Sequence, residues 1–135
     1  MIRAFLFFVI AVFGCGAALG EKPHATSNQK HANYFGDRHW THVRDHFNAQ
    51  MRMGKCPLGF VSKDGGCQLA DQTRKWVIGK RLPPSAIRFD VAPALASKLG
   101  KPPSGHRYVR VGADILLVSN RTGVVVDAIL DLGRK

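Results

Sequence analysis

The sequence predicts an α+β fold: a small antiparallel β-meander with one packed helix, preceded by a basic amphipathic helix and a disordered tether. Three observations carry this expectation. Residues 107–111, 114–118 and 124–130 are β-rich runs, separated by Gly112-Ala113 and by residues 119–123, both suited to hairpin connections. Before them, Pro93 stands where the first turn of a helix tolerates proline, residues 94–99 continue that helix, and Gly100 closes it. Further back, Trp40, Val43, Phe47 and Met51 recur at helical spacing between Asp37, suited to cap a helix, and Gly54, suited to end one.

The folded domain is expected over residues 76–132. Trp76-Val77-Ile78-Gly79 is a short apolar segment ahead of the turn-rich Arg81-Leu82-Pro83-Pro84. Residues 86–91 alternate apolar and polar as a half-buried strand does, and residues 101–105 form a stiff Pro/Gly connector. A core this small is marginal on its own, so Trp76 and any covalent clip should matter.

The start of the chain reads as a secretory signal over residues 1–20. Arg3 supplies the positive start, residues 4–13 are an unbroken apolar run, and Ala18-Leu19-Gly20 offers small side chains at a cleavage site. The apolar run is shorter than the roughly 20 residues of a membrane-spanning helix. A lipoprotein-type cleavage before Cys15 is the lesser alternative, since Phe13 is bulky for it. Export predicts a periplasmic protein. Residues 21–36 lack an apolar period and are expected to be a disordered tether. Two cysteines then remain, Cys56 and Cys67, most simply a disulfide in an oxidising compartment, with a two-thiolate metal site as the competitor. They sit in a degenerate repeat, residues 56–63 against 67–74, with Asp64-Gly65-Gly66 as a turn between, so residues 55–75 read as a disulfide-closed linker.

Nineteen of the twenty Lys and Arg residues, and all nine acids, follow the first twenty positions, so the exported part is strongly basic. Export removes nucleic acid as the expected partner. An anionic membrane surface, an acidic envelope polymer or an envelope protein replaces it, unless the charge is simply a solvated surface.

Within the segment 37–54, His39, His42 and His46 form a stripe beside the apolar one, because steps of three and four return to one helix face. Neutral imidazoles suit nickel, cobalt, copper and zinc, and these three residues are the candidate metal ligands, with His24 or His31 able to join from the tether. The alternative is a row of solvated surface histidines. No Ser or Cys sits in a nucleophile elbow, and the glycines fall at turns rather than in a phosphate-cradling loop. Of the acids, Asp114 is expected to satisfy turn backbone and Asp127 to pair with a cross-strand arginine.

With these segments in place, the C-terminal half resembles the RcnB family of periplasmic nickel/cobalt-homeostasis proteins, which has CigR-type envelope relatives. The resemblance is carried by residues 76–83 (Trp-Val-Ile-Gly-Lys-Arg-Leu-Pro), 102–112 (Pro-Pro-Ser-Gly-His-Arg-Tyr-Val-Arg-Val-Gly), 114–118 and 122–129, with Cys56-Pro57-Leu58-Gly59 similar to a repeat that precedes the domain in relatives. It implies a small non-enzymatic periplasmic domain linked to nickel/cobalt homeostasis, with a metal-efflux system or envelope protein as partner. The other expectation is a cationic envelope module binding anionic lipid, polymer or a protein.

Overall fold

The computed structural model describes residues 34–133, so the expected signal and most of the expected tether lie outside the described residues. The elements run α1 (Asp37–Arg52), β1 (Phe60–Lys63), β2 (Gly66–Leu69), β3 (Arg88–Phe89), α2 (Pro93–Leu99), β4 (His106–Val111), β5 (Asp114–Ser119) and β6 (Val125–Ile129). A short 3-10 turn, Asp131–Gly133, follows. The strands form a two-stranded hairpin, β1-β2, and a four-stranded antiparallel sheet of order β3-β4-β5-β6. The α+β class is therefore the observed one.

The meander forms where the period-2 pattern places it. β4 pairs with β5 from His106↔Ser119 to Val111↔Asp114, turning through Gly112-Ala113 with Gly112 at φ +56°. β5 pairs with β6 from Ile115↔Ile129, with a register shift between Leu117 and Val118. The expected strand at 86–91 shrinks to Arg88–Phe89. Ala86 is held in a turn by its N–H on Pro83 C=O, and the chain must leave the sheet to enter α2 at Pro93. This short strand makes the meander four-stranded.

Both faces of the sheet are covered, so β5 is buried on two sides. Ile115 and Leu117 face a core shared with Phe35, Val43, Phe47, Leu95, Leu99, Ile129 and Leu132. Leu116 and Val118 face a second core with Trp76, Leu82, Ala86, Val109, Val125 and Ala128. Burying such side chains fully contributes about 1.5–3 kcal/mol each, which makes β5 the centre of the molecule. The first face takes two helices rather than the single one expected. The α1 stripe is a packing face: Val43 and Phe47 are buried, and Trp40 and Met51 pack beside them.

Two contacts hold α1 down. Phe35 is buried, and its N–H donates to Asp127 Oδ2 at 2.8 Å, so the end of the expected tether is anchored onto β6. At the other end of the chain, Gly133 lies against the α1 backbone. A Cβ there would stand 2.6 Å from Arg44 N and 2.7 Å from Trp40 O, and its φ of +84° already excludes most side chains. The start of α1 also differs from expectation. Gly36 is the N-cap, and the His39 ring rather than Asp37 reaches back, accepting the Gly36 N–H on Nδ1 at 3.0 Å. The helix ends as expected, with Gly54 at φ +70° and the Lys55 N–H on Gln50 C=O.

The repeat around the cysteines becomes a hairpin in which the copies are not equivalent. The first supplies β1, the second supplies β2 and then an extended segment. Asp64 (φ 51°) and Gly65 (φ 77°) make the turn, and Cys56 and Cys67 are joined in a disulfide, Cα atoms 5.4 Å apart. The competing thiolate reading is thereby displaced.

Replacing both cysteines by serine should lower stability by roughly 2–3 kcal/mol, the loop-closure value for this short span, read from urea unfolding of the oxidised chain and the variant. Gly133→Ala should cost at least about 2 kcal/mol, and the same unfolding curves test it; a wild-type midpoint would show that α1 does not rest on Gly133.

Candidate functional site

The three candidate ligands on α1 sit in different surroundings. His39 is engaged: besides accepting the Gly36 N–H, its ring stacks on Tyr34, centroids 5.6 Å apart and planes 19° apart. Because Nδ1 uses its lone pair, the neutral ring carries its proton on Nε2, and a metal at either nitrogen would require giving up the bond from the Gly36 N–H. His46 lies one turn beyond His42, half-buried, edge-on to Phe47 at 5.1 Å, with its Nε2 3.2 Å from the Gln50 side-chain amide. Partial burial, and then the nearby Lys98 ammonium on α2, lower the His46 pKa from its ordinary 6.5. His42 is half-buried. The fold thus presents His42 and His46 as a two-imidazole pair at i, i+4, with His39 held apart by its cap. Among the described residues no three of His, Cys, Asp and Glu are grouped so as to hold a metal ion.

A second polar constellation was only partly visible in the sequence. Asp114, the first residue of β5, is buried and accepts four hydrogen bonds: Arg74 Nε at 3.0 Å, Arg74 Nη2 at 3.2 Å, Trp76 Nε1 at 3.1 Å and the Asp131 N–H at 2.9 Å. The expectation that it satisfies turn backbone holds for the last of these. The carboxylate raises the Arg74 pKa above its ordinary value, and the guanidinium also reaches Asp131 at 3.6 Å and lies over the Trp76 ring. Asp114 therefore ties the segment after the hairpin, the β4-β5 turn and the chain end into one node. Between that segment, the 85–89 strap and the β4-β5 turn lies a cavity of about 380 Å³, walled by Trp76, Ala86, Ile87 and Phe89 with Thr73 and Arg74 above.

Arg110 is the third. Although it alternates with apolar neighbours as an outward strand residue would, it is 4% exposed, donating to Gly112 C=O at 2.7 Å and to Leu58 C=O and lying 4.4 Å over the Phe89 ring. Burial lowers its pKa. It clamps the disulfide hairpin onto the sheet. Asp127, expected to pair with an arginine, instead accepts the Phe35 and Ala128 N–H groups on its two oxygens. Tyr108 and Tyr34 share a 2.7 Å hydroxyl contact, and burial together with that contact pushes the Tyr108 phenol well above its ordinary value.

The buried polar groups are structural staples, and α1 carries two half-buried imidazoles, His42 and His46, one helical turn apart. The family described as RcnB, nickel/cobalt transporter regulator, matches residues 96–127, which span the end of α2 through β4 and β5 to Asp127 of β6. The C-terminal domain of the inner membrane protein CigR from Salmonella enterica is similar in structure, with a TM-score of 0.50 and 23% identity over 84% of this chain and 97% of that domain. The chain thus resembles the RcnB-like family and its CigR relatives, and the second likeness concerns the fold. No curated protein matches the chain. Among the described residues no helix is long and apolar enough to cross a membrane.

Asp114→Ala should lower stability by roughly 2–3 kcal/mol, since a charged acceptor of four hydrogen bonds is lost while half-exposed Arg74 can return to water. It should also red-shift Trp76 fluorescence; an unchanged spectrum and midpoint would contradict the node. His46 should titrate below 6.5 by NMR, and Lys98→Met should raise its midpoint. A depressed histidine leaves the unfolded chain binding more protons, so its contribution is full above pH 6.5 and is lost as the pH falls through the window beneath that value.

Proposed function

We infer that this protein is a non-enzymatic periplasmic component of nickel/cobalt homeostasis, acting beside a metal-efflux system rather than as a transporter. The match of residues 96–127 to a nickel/cobalt transporter regulator family carries this reading. The signal-like first twenty residues and the Cys56–Cys67 disulfide support an oxidising compartment.

The residues that fit a borderline divalent ion best are His42 and His46, two imidazoles one helical turn apart. His46, with its lowered pKa, stays neutral and able to coordinate at near-neutral pH. His39 joins only after giving up its hold on Gly36. Two protein nitrogens leave the other positions to water or to a partner's ligands, which suits reversible sensing or delivery rather than a closed structural site. Copper is favoured over nickel and cobalt by intrinsic affinity, so selectivity would have to come from the partner.

Calorimetric titration of the oxidised chain with nickel, cobalt and copper tests this. The wild type and His39→Ala should bind with similar affinity, His39→Ala melting earlier through loss of its cap. The His42→Ala/His46→Ala pair should lose the heat of binding. Undiminished binding in the double variant would remove the ligand assignment, and a wild type silent to all three ions would remove direct metal binding from the proposed role.

A further inference from the structure

Antiparallel order puts the β4-β5 turn and the cavity at one end of the sheet and the β5-β6 turn at the other. Three loops meet at that second end. The Leu82 N–H donates to Gly123 C=O at 2.8 Å, and the Asn120 N–H donates to Gly105 C=O at 2.8 Å. Arg107 Nη1 donates to Asn120 Oδ1 at 2.9 Å, and the Arg81 side chain packs 3.4 Å from where a Gly123 Cβ would stand. Loops 77–85, 100–107 and 118–125 carry Lys80, Arg81, Lys101, Arg107 and Arg121, all exposed, and not one acidic residue. Among the described residues none of these five cations is in an ion pair; the four pairs present involve Arg44, Arg74 (twice) and Lys75.

Elsewhere the acids balance or nearly balance the bases, as where Asp114 and Asp131 meet Arg74 and Asp71 meets Lys75. The charge of this end is therefore local. Like charges gathered on loops that meet repel one another and cost stability unless a counter-charge is available. Beside them, the turn at Val77–Lys80 is fixed to the start of β6 by Gly79 N–H on Val125 C=O and Val125 N–H on Lys80 C=O, and it leaves Val77 62% exposed. An unpaired cationic surface with an exposed aliphatic residue beside Lys80 fits an anionic lipid surface, where the charges meet headgroups and the apolar side chain meets the interface.

We propose that this end of the sheet, Lys80, Arg81, Arg107 and Arg121 with Val77 beside Lys80, docks the protein on a membrane bearing anionic phospholipid headgroups. The site lies away from the α1 histidines in sequence and on other elements, and it does not depend on metal binding. It also orients the domain, with the cavity and the Asp114 node facing away from the bilayer.

Sedimentation of the full chain with phosphatidylcholine vesicles, with and without phosphatidylglycerol, tests this. Neutral vesicles report whatever the apolar start of the chain contributes. Binding should require phosphatidylglycerol and fade with added salt. Removing three cations in Lys80→Gln/Arg81→Gln/Arg121→Gln should weaken it roughly a hundredfold, at about fivefold for each near-surface charge. Arg38→Gln/Arg44→Gln/Arg52→Gln, an equal charge change on α1, should weaken it far less. Circular dichroism confirms that each variant is folded, and the salt dependence of the wild type needs no variant. Equal losses in the two triple variants, or wild-type binding indifferent to phosphatidylglycerol, overturn the proposal. Displacement by inorganic phosphate at matched ionic strength reassigns this end to soluble anions and overturns it too.

Discussion

Burial of β5 on both faces is the constraint on which the rest of the molecule depends. A central strand with Ile115 and Leu117 on one side and Leu116 and Val118 on the other needs two covers. One is regular, α1 and α2 across the first face. The other is largely irregular chain, the 76–86 segment, whose Trp76, Leu82 and Ala86 cover the second face. In a core this small each cover is obligatory, because exposing either face would forfeit a large share of the apolar burial that stabilises a domain below about 100 residues.

Irregular covers need anchoring, and buried polar groups supply it. Asp114 anchors Arg74 and Trp76 at the edge of the second core, Asp127 anchors Phe35 at the edge of the first, and Arg110 anchors the disulfide hairpin through the Leu58 carbonyl. Each reaches across dozens of residues, and none is left without a hydrogen-bond partner: no buried side-chain nitrogen or oxygen among the described residues is unsatisfied. The same satisfaction that holds the fold leaves the imidazoles of α1 and the unpaired cations at the far end of the sheet as the polar groups not used by the core.

Local signals in the sequence placed most elements well. The three strands, the Pro93-to-Gly100 helix and the stripe of α1 follow from period, proline and glycine over a few residues, and such patterns are legible in one dimension. The partners of those elements were less legible. Arg110 alternates correctly for an exposed strand position and is buried only because the hairpin, fifty-two residues earlier, folds over it. Phe35 sits in a stretch with no period, and its N–H finds Asp127 ninety-two residues away. The His39 cap escaped because a histidine three residues inside a helix carries no signature as an N-terminal acceptor, whereas Asp37 does. The pairing of Cys56 with Cys67, by contrast, needed only the count of thiols and the compartment.

The histidine-bearing helix is thus part of the folded body and not a loose arm. Its imidazoles stand at fixed spacing on a helix whose Val43 and Phe47 are part of the core. Native-state hydrogen exchange tests this most directly. If α1 is integral, the amides around Val43 and Phe47 should open with the same free energy as those of Ile115 to Val118, as one cooperative unit. Rapid exchange along α1 while β5 stays protected would contradict an integral α1 and return the histidines to a mobile segment.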